Sequence, residues 1–144
     1  SSAASDVYKR QILYNDLDTE SSDIDKEYEI NKQVFQKLDS LIRRDELYLS
    51  ADLSREDLVR MAHMNNTRFA KMIKENTGTN LSGYINELRL NHAIHLLKEH
   101  PEYTLRAIAE ASGINSMPTF HSLFKNKTGM TPSEFKKTQM DMKQ

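Results

Sequence analysis

The sequence predicts an all-α fold in which two helix-turn-helix subdomains, homeodomain-like three-helix units, are joined by a long linking helix. Three observations predict it. Helix breakers are scarce, with 4 Gly and 3 Pro in 144 residues. Apolar residues recur at helical spacing and strand-like alternation is absent. The chain also repeats itself at an offset near 51 residues.

Residues 1–24 are polar and acidic, and read as disordered or as the remnant of a linker. The chain starts with Ser1 rather than Met, so it is expected to be a fragment of a longer protein. Ile30, Val34, Leu38, Leu41 and Ile42 fall on one face and predict an amphipathic helix over 25–46. Leu47, Tyr48 and Leu49 then form a short apolar link, so residues 25–49 lead into a domain at 50–137. Residues 138–144 read as a tail.

Within the domain, capping signals mark each element. Ser54, followed by Glu56 and Asp57, opens a helix to about His63. Asn65 or Asn66 caps the next, which stops at Asn76 before Gly78. The linking helix is expected from Ser82 to about Glu99, ended by Pro101. Its apolar face is Tyr84, Ile85, Leu88, Leu90, Ala93, Ile94 and Leu97. Thr104 caps a helix over 105–112 closed by Gly113, and Ser116 caps one over 117–128 closed by Gly129. Thr131, Pro132, Ser133 and Glu134 make a capping box with proline at the first helical position, opening a last helix to about Met140.

The repeat is dense. At an offset of 51, Phe69 pairs with Phe120, Lys74 with Lys125, Thr77 with Thr128, Gly78 with Gly129, Ser82 with Ser133 and Tyr84 with Phe135. Before the turn the offset is 50, pairing Val59 with Ala109 and Met64 with Ile114, so the second turn holds one extra residue near Asn115. A brace helix, a tight turn and a second helix make the helix-turn-helix plan. In that plan the second helix offers its first turns to base edges in the major groove. Val59 and Ala109 stand where the helices cross, and Phe69 and Phe120 are the inner bulky residues.

Composition narrows the function. There are no cysteines, which excludes disulfides and thiolate sites and fits a cytoplasmic protein. No apolar run approaches the roughly 20 residues of a membrane helix. Net charge is −1 overall, but residues 1–53 hold 7 Lys/Arg against 12 Asp/Glu, and residues 54–137 hold 12 against 8. A basic body suits a polyanion partner. No nucleophile–base constellation or Gly-rich phosphate loop is present, so an enzyme is not expected. No cofactor is expected either. His92, His95 and Glu99 have helical spacing for chelation, but no further strong ligand follows, and the metal reading is set aside.

The stretch "LRAIAEASGINSMPTFHSLFKNKTGMTPSEFKK" (105–137) resembles the signature region of the AraC/XylS family of transcription regulators. It carries Ile108-Ala109, Gly113, Ser116, Phe120, Phe124-Lys125, Gly129, Thr131-Pro132, Phe135 and Lys136 at the family's spacing. "YINELRLNHAIHLL" (84–97) is similar to the family's linking helix. Two positions depart: His63 stands at the turn glycine of the first unit, and Ile73 replaces the usual Phe before Lys74. The resemblance implies a seven-helix domain that binds double-stranded DNA. RNA polymerase and an upstream sensing or dimerising region are expected further partners.

Outer-face polar residues then become candidates. Thr67, Arg68, Lys71, Pro118, Thr119, His121 and Ser122 are expected at base edges, with Arg68 and Lys71 suited to guanine. Asn65, Lys74, Ser116, Lys125 and Lys127 are expected at phosphates. Arg89 reads as structural, paired with Glu87 or a helix end. The competing reading is a helical protein-interaction module that uses the same plan without binding DNA.

Overall fold

Two hydrophobic cores share one helix. The computed structural model describes the backbone of residues 2–143 and the side chains of 22–143. Its order is α1 (Ser2–Arg44), a 3₁₀ segment (Leu47–Leu49), α2 (Arg55–Ala62), α3 (Asn66–Thr77), α4 (Leu81–Glu99), α5 (Leu105–Ala111), α6 (Met117–Thr128) and α7 (Pro132–Met142). Among the described residues there is no strand, and no helix is long and apolar enough to cross a membrane.

The first core gathers Leu38 and Ile42 of α1, Leu58 and Ala62 of α2, Phe69, Met72 and Ile73 of α3, and Tyr84, Ile85 and Leu88 of α4. The second gathers Leu90, Ala93 and Leu97 of α4, Ile108 and Ala109 of α5, Ile114, and Phe120 and Phe124 of α6. Sequence periodicity drew one apolar face along α4, and the structure divides it. At 100° per residue, Leu88 to Leu90 turns the helix by about 200°, so the two apolar sets point to opposite sides. Each unit covers one side.

Several boundaries differ from expectation. The helix expected over 25–46 starts at Ser2, so residues 2–24 continue it where disorder or linker was expected. No Gly or Pro lies before Gly78; polarity argues against a core there but not against a helix. The side chains of residues 1–21 lie outside the described ones. Helix α4 is capped by Asn80, whose side-chain Oδ1 accepts from the Gly83 amide at 2.8 Å, rather than opening at Ser82. Thr131 accepts from the Glu134 amide, giving half of the expected box, and α7 runs on to Met142. The reciprocal box forms instead at Ser54 and Asp57. There the bonds from Ser54 hold the Asp57 carboxyl below the usual carboxylate range.

The turn between α2 and α3 is not irregular despite its missing glycine. His63 takes the left-handed region at φ 54°, and Gly113 takes it at φ 81° in the sister turn. In both, the amide just after the left-handed residue reaches back into the brace helix: Met64 to the Val59 carbonyl and Ile114 to the Ala109 carbonyl. The extra residue of the second turn is Asn115, since α3 is capped by Asn65 and α6 by Ser116.

Two separate cores should respond separately. Phe120 is fully buried, and Phe120→Ala is expected to cost about 3–5 kcal/mol in urea denaturation. Amide exchange should then accelerate in α5 and α6 well before α2 and α3. Equal loss of protection across both units would show that the cores act as one. His63→Gly relieves a left-handed non-glycine residue and should raise stability by about 1 kcal/mol.

Candidate nucleic-acid interface

Helices α3 and α6 start and stop with the same backbone arrangement. Each opens with a side-chain cap: Asn65 accepts from the Arg68 amide at 2.8 Å, and Ser116 from the Thr119 amide at 3.3 Å. Each closes on a left-handed glycine, Gly78 or Gly129, whose amide reaches the carbonyl of Lys74 or Lys125. The threonine before it donates to the carbonyl four residues back, from Thr77 to Ile73 at 2.7 Å and from Thr128 to Phe124 at 2.8 Å. That hydroxyl also accepts from the amide two residues on, Thr79 or Met130. These caps fix where each helix starts, and so which residues fill its first two turns.

The inner faces are spent on packing. Phe69, Met72 and Ile73 are buried on α3, and Phe120 and Phe124 on α6. What remains outside is an exposed stripe on each: Thr67, Ala70, Lys71 and Lys74, and Pro118, His121, Ser122 and Lys125. The two stripes correspond residue for residue at the offset of 51. Thr119 is exposed beside the second stripe. Exposed polar residues on the outer face of a second helix are what a major-groove reader requires.

The basic candidates do not stand equally free. Arg68 occupies the same register as Thr119, but α1 covers it. Its Nε donates to the Asn31 side-chain Oδ1 at 2.9 Å and lies 3.9 Å from the Glu27 carboxylate. Asn31 is fully buried there. Lys127 is also occupied, donating to Glu87 of α4 at 2.8 Å. Lys74 donates to the Gly78 carbonyl at 3.0 Å and so helps to close its own helix. Lys71 lies 4.0 Å from Glu75, a weak exposed pair. Among the described residues Lys125 has no side-chain partner. The sequence pattern could not separate these cases, because the partners Asn31, Glu27 and Glu87 come from other helices.

Arg89 proves structural, but its partners are the Tyr48 and Ser50 carbonyls rather than Glu87. His92 is half-buried with its ring edge-on to Tyr48, and burial pushes its pKa down. Arg55 was not singled out from the sequence. Its guanidinium lies over the Phe69 ring at 5.4 Å and reaches the Asn66 carbonyl at 3.4 Å, beside the start of α3. A cation in the first turn of a helix runs against the helix dipole, and that signal was available.

Comparison with known proteins agrees with this geometry. A family model described as "Helix-turn-helix domain" matches residues 58–138. A transcriptional regulatory protein of Bacillus subtilis, YesN, is 39% identical over 80 residues, covering 55% of this chain and 22% of that protein. The chain spans 22–37% of the length of the curated relatives it matches. A transcriptional regulator structure from Chromobacterium violaceum, titled as AraC-type DNA-binding domain-containing, is 27% identical with a TM-score of 0.64. It covers 75% of this chain and 93% of its own. The C-terminal domain of the two-component response regulator yesN from Fusobacterium nucleatum shares the fold, at 22% identity and a TM-score of 0.65. That match covers 72% of this chain and 98% of the other.

The contact from α1 yields a test. Arg68→Ala removes the polar contact from α3 to Asn31 and Glu27 of α1. Amide exchange in residues 22–31 should accelerate, while α6 keeps its protection. Unchanged exchange in that stretch would mean that α1 is held by its apolar residues alone.

Proposed function

Because the chain belongs to the AraC-type helix-turn-helix family, we propose that it is the sequence-specific DNA-binding part of a transcription regulator, with α3 and α6 in successive major-groove segments of one duplex. The duplicated exposed stripe carries this reading. Two helices with the same caps, inner face and stop each leave one polar face unused by the fold. The linking helix α4 spans about 28 Å at 1.5 Å per residue, on the scale of one DNA turn of about 34 Å.

Within that reading, Thr67 and Lys71 of α3 and Pro118, Thr119, His121 and Ser122 of α6 face base edges. Lys71 suits guanine, whose O6 and N7 accept together. The first unit supplies more charged hydrogen bonding to bases, and the second more apolar contact and positioning. Lys125, Lys74 and the amides behind Asn65 and Ser116 face phosphates. Arg68 and Lys127 are assigned to the fold instead, since each is tied to a side chain of another helix, Asn31 and Glu27 or Glu87, whereas Lys74 bonds only a carbonyl at the end of its own. The cytoplasm as location, contact with RNA polymerase, and an upstream sensing or dimerising region are parts of the proposal that concern the whole regulator.

Salt dependence separates the lysines. Each phosphate neutralised contributes about −0.9 to the slope of log K against log salt. Lys125→Ala should flatten that slope by about one unit and weaken binding to every sequence alike. Lys127→Ala should leave it unchanged. Equal slopes for both variants and the parent would remove Lys125 from the backbone contacts.

Binding-site selection reads the bases. Lys71→Ala is expected to relax preference at one or two base pairs, at a cost of about 1–3 kcal/mol. His121→Ala should alter a different part of the motif. Nuclease protection should cover two groove segments on one face of the duplex; protection of a single segment would contradict simultaneous docking.

A further inference from the structure

The two units meet at a second place besides the core packing along α4. Arg89 leaves that helix between Leu88, which belongs to the first core, and Leu90, which belongs to the second. Its Nε donates to the Tyr48 carbonyl at 2.7 Å and its Nη2 to the Ser50 carbonyl at 2.8 Å. Both carbonyls lie in the segment that joins α1 to α2, on the side of the first unit. The turn of the second unit presses on that segment from the other direction. A Cβ at Gly113 would stand 2.7 Å from the Tyr48 carbonyl oxygen, 3.0 Å from that of Leu49 and 2.9 Å from the Arg89 Nε. The Tyr48 ring also meets His92 of α4 edge-on, with centroids 6.4 Å apart. So the Leu47–Leu49 segment is gripped between α4 and the α5–α6 turn.

The two turns show what the glycine is for. His63 takes the left-handed backbone of the first turn without a glycine, so the backbone angle alone does not demand one. At Gly113 a side chain would run into two carbonyls and a guanidinium. Closeness to the first unit is the constraint there.

Such a contact matters for a protein that reads two sites at once. A unit packed on one side of a helix keeps some freedom to roll about that helix. A second contact away from the helix axis takes that freedom away. The guanidinium fork suits the task because its donors are coplanar and rigidly spaced, so two bonds fix direction as well as distance. We propose that Arg89 is a positioning residue for DNA recognition: by holding the Leu47–Leu49 segment against the Gly113 turn, it fixes the rotation between α3 and α6 and thereby the sub-site spacing that the domain accepts. This rests on the reading in which both helices occupy one duplex.

The experiment measures affinity of the full chain for duplexes in which the two selected sub-sites are moved apart or together. Each added base pair turns one sub-site by about 34° relative to the other. The parent protein is expected to prefer one spacing by about tenfold over a shift of two base pairs. Arg89→Met keeps the buried stem but loses both donors. It should reduce that ratio to about twofold, with the base preference of each sub-site unchanged. Arg89→Lys, which keeps a donor, should restore part of the ratio. Should the Met variant fail to melt cooperatively, Arg89→Gln serves in its place and should also flatten the spacing profile. A folded variant that keeps the parent's ratio, or that loses affinity equally at every spacing, overturns the positioning role. A parent protein with no spacing preference and a footprint of one groove segment overturns the two-groove reading itself, and this inference with it.

Discussion

The fold depends on one helix having two apolar sides. The inward residues of α4 change direction between Leu88 and Leu90, and each unit closes over its own half. A helix with one apolar stripe would gather both units on the same side and merge their cores. Here the step of two residues sends Tyr84, Ile85 and Leu88 one way and Leu90, Ala93 and Leu97 the other. Everything that later concerns DNA follows from this division, because it determines how α3 and α6 sit relative to each other.

Duplication reaches the level of single hydrogen bonds while the side chains that make them change. Asn65 and Ser116 perform the same cap, and Asn80 and Thr131 perform another. His63 and Gly113 take the same left-handed turn for different reasons. What the two copies hold in common is the demand of buried backbone groups for partners, which several residue types can meet. What separates them is the neighbourhood: α1 lies against the first unit, while the second faces the Leu47–Leu49 segment and α7.

That asymmetry bears on function. The first reading helix shares its Arg68 with α1, in a stretch carrying Asp23, Asp25, Glu27 and Glu29. The second has no equivalent cover, and Thr119 in the matching register is exposed. The polar surface offered to a duplex is therefore smaller at the first helix than its residues suggest. Lys71, with only a weak exposed pair to Glu75, is the less engaged cation of the first helix, and among the described residues Lys125 is the freer one of the second.

The sequence alone determined what local chemistry controls. Caps at Ser54, Asn65, Thr104, Ser116 and Thr131 and stops at Gly78 and Gly129 stand where they were expected, since each acts within four residues of its own position. The repeat was legible for the same reason, and with it the outer stripes at Thr67, Lys71, His121 and Lys125. Helix α1 was underestimated because a polar stretch without breakers gives no sign of its extent. Only the tertiary structure decided which cations are free. Arg68 and Lys127 look like Lys125 in sequence, yet Asn31 lies 37 residues and Glu87 40 residues away along the chain. The division of α4 and the meeting of Arg89, the Tyr48 carbonyl and Gly113 were likewise beyond periodicity, because they depend on the direction in which whole units pack.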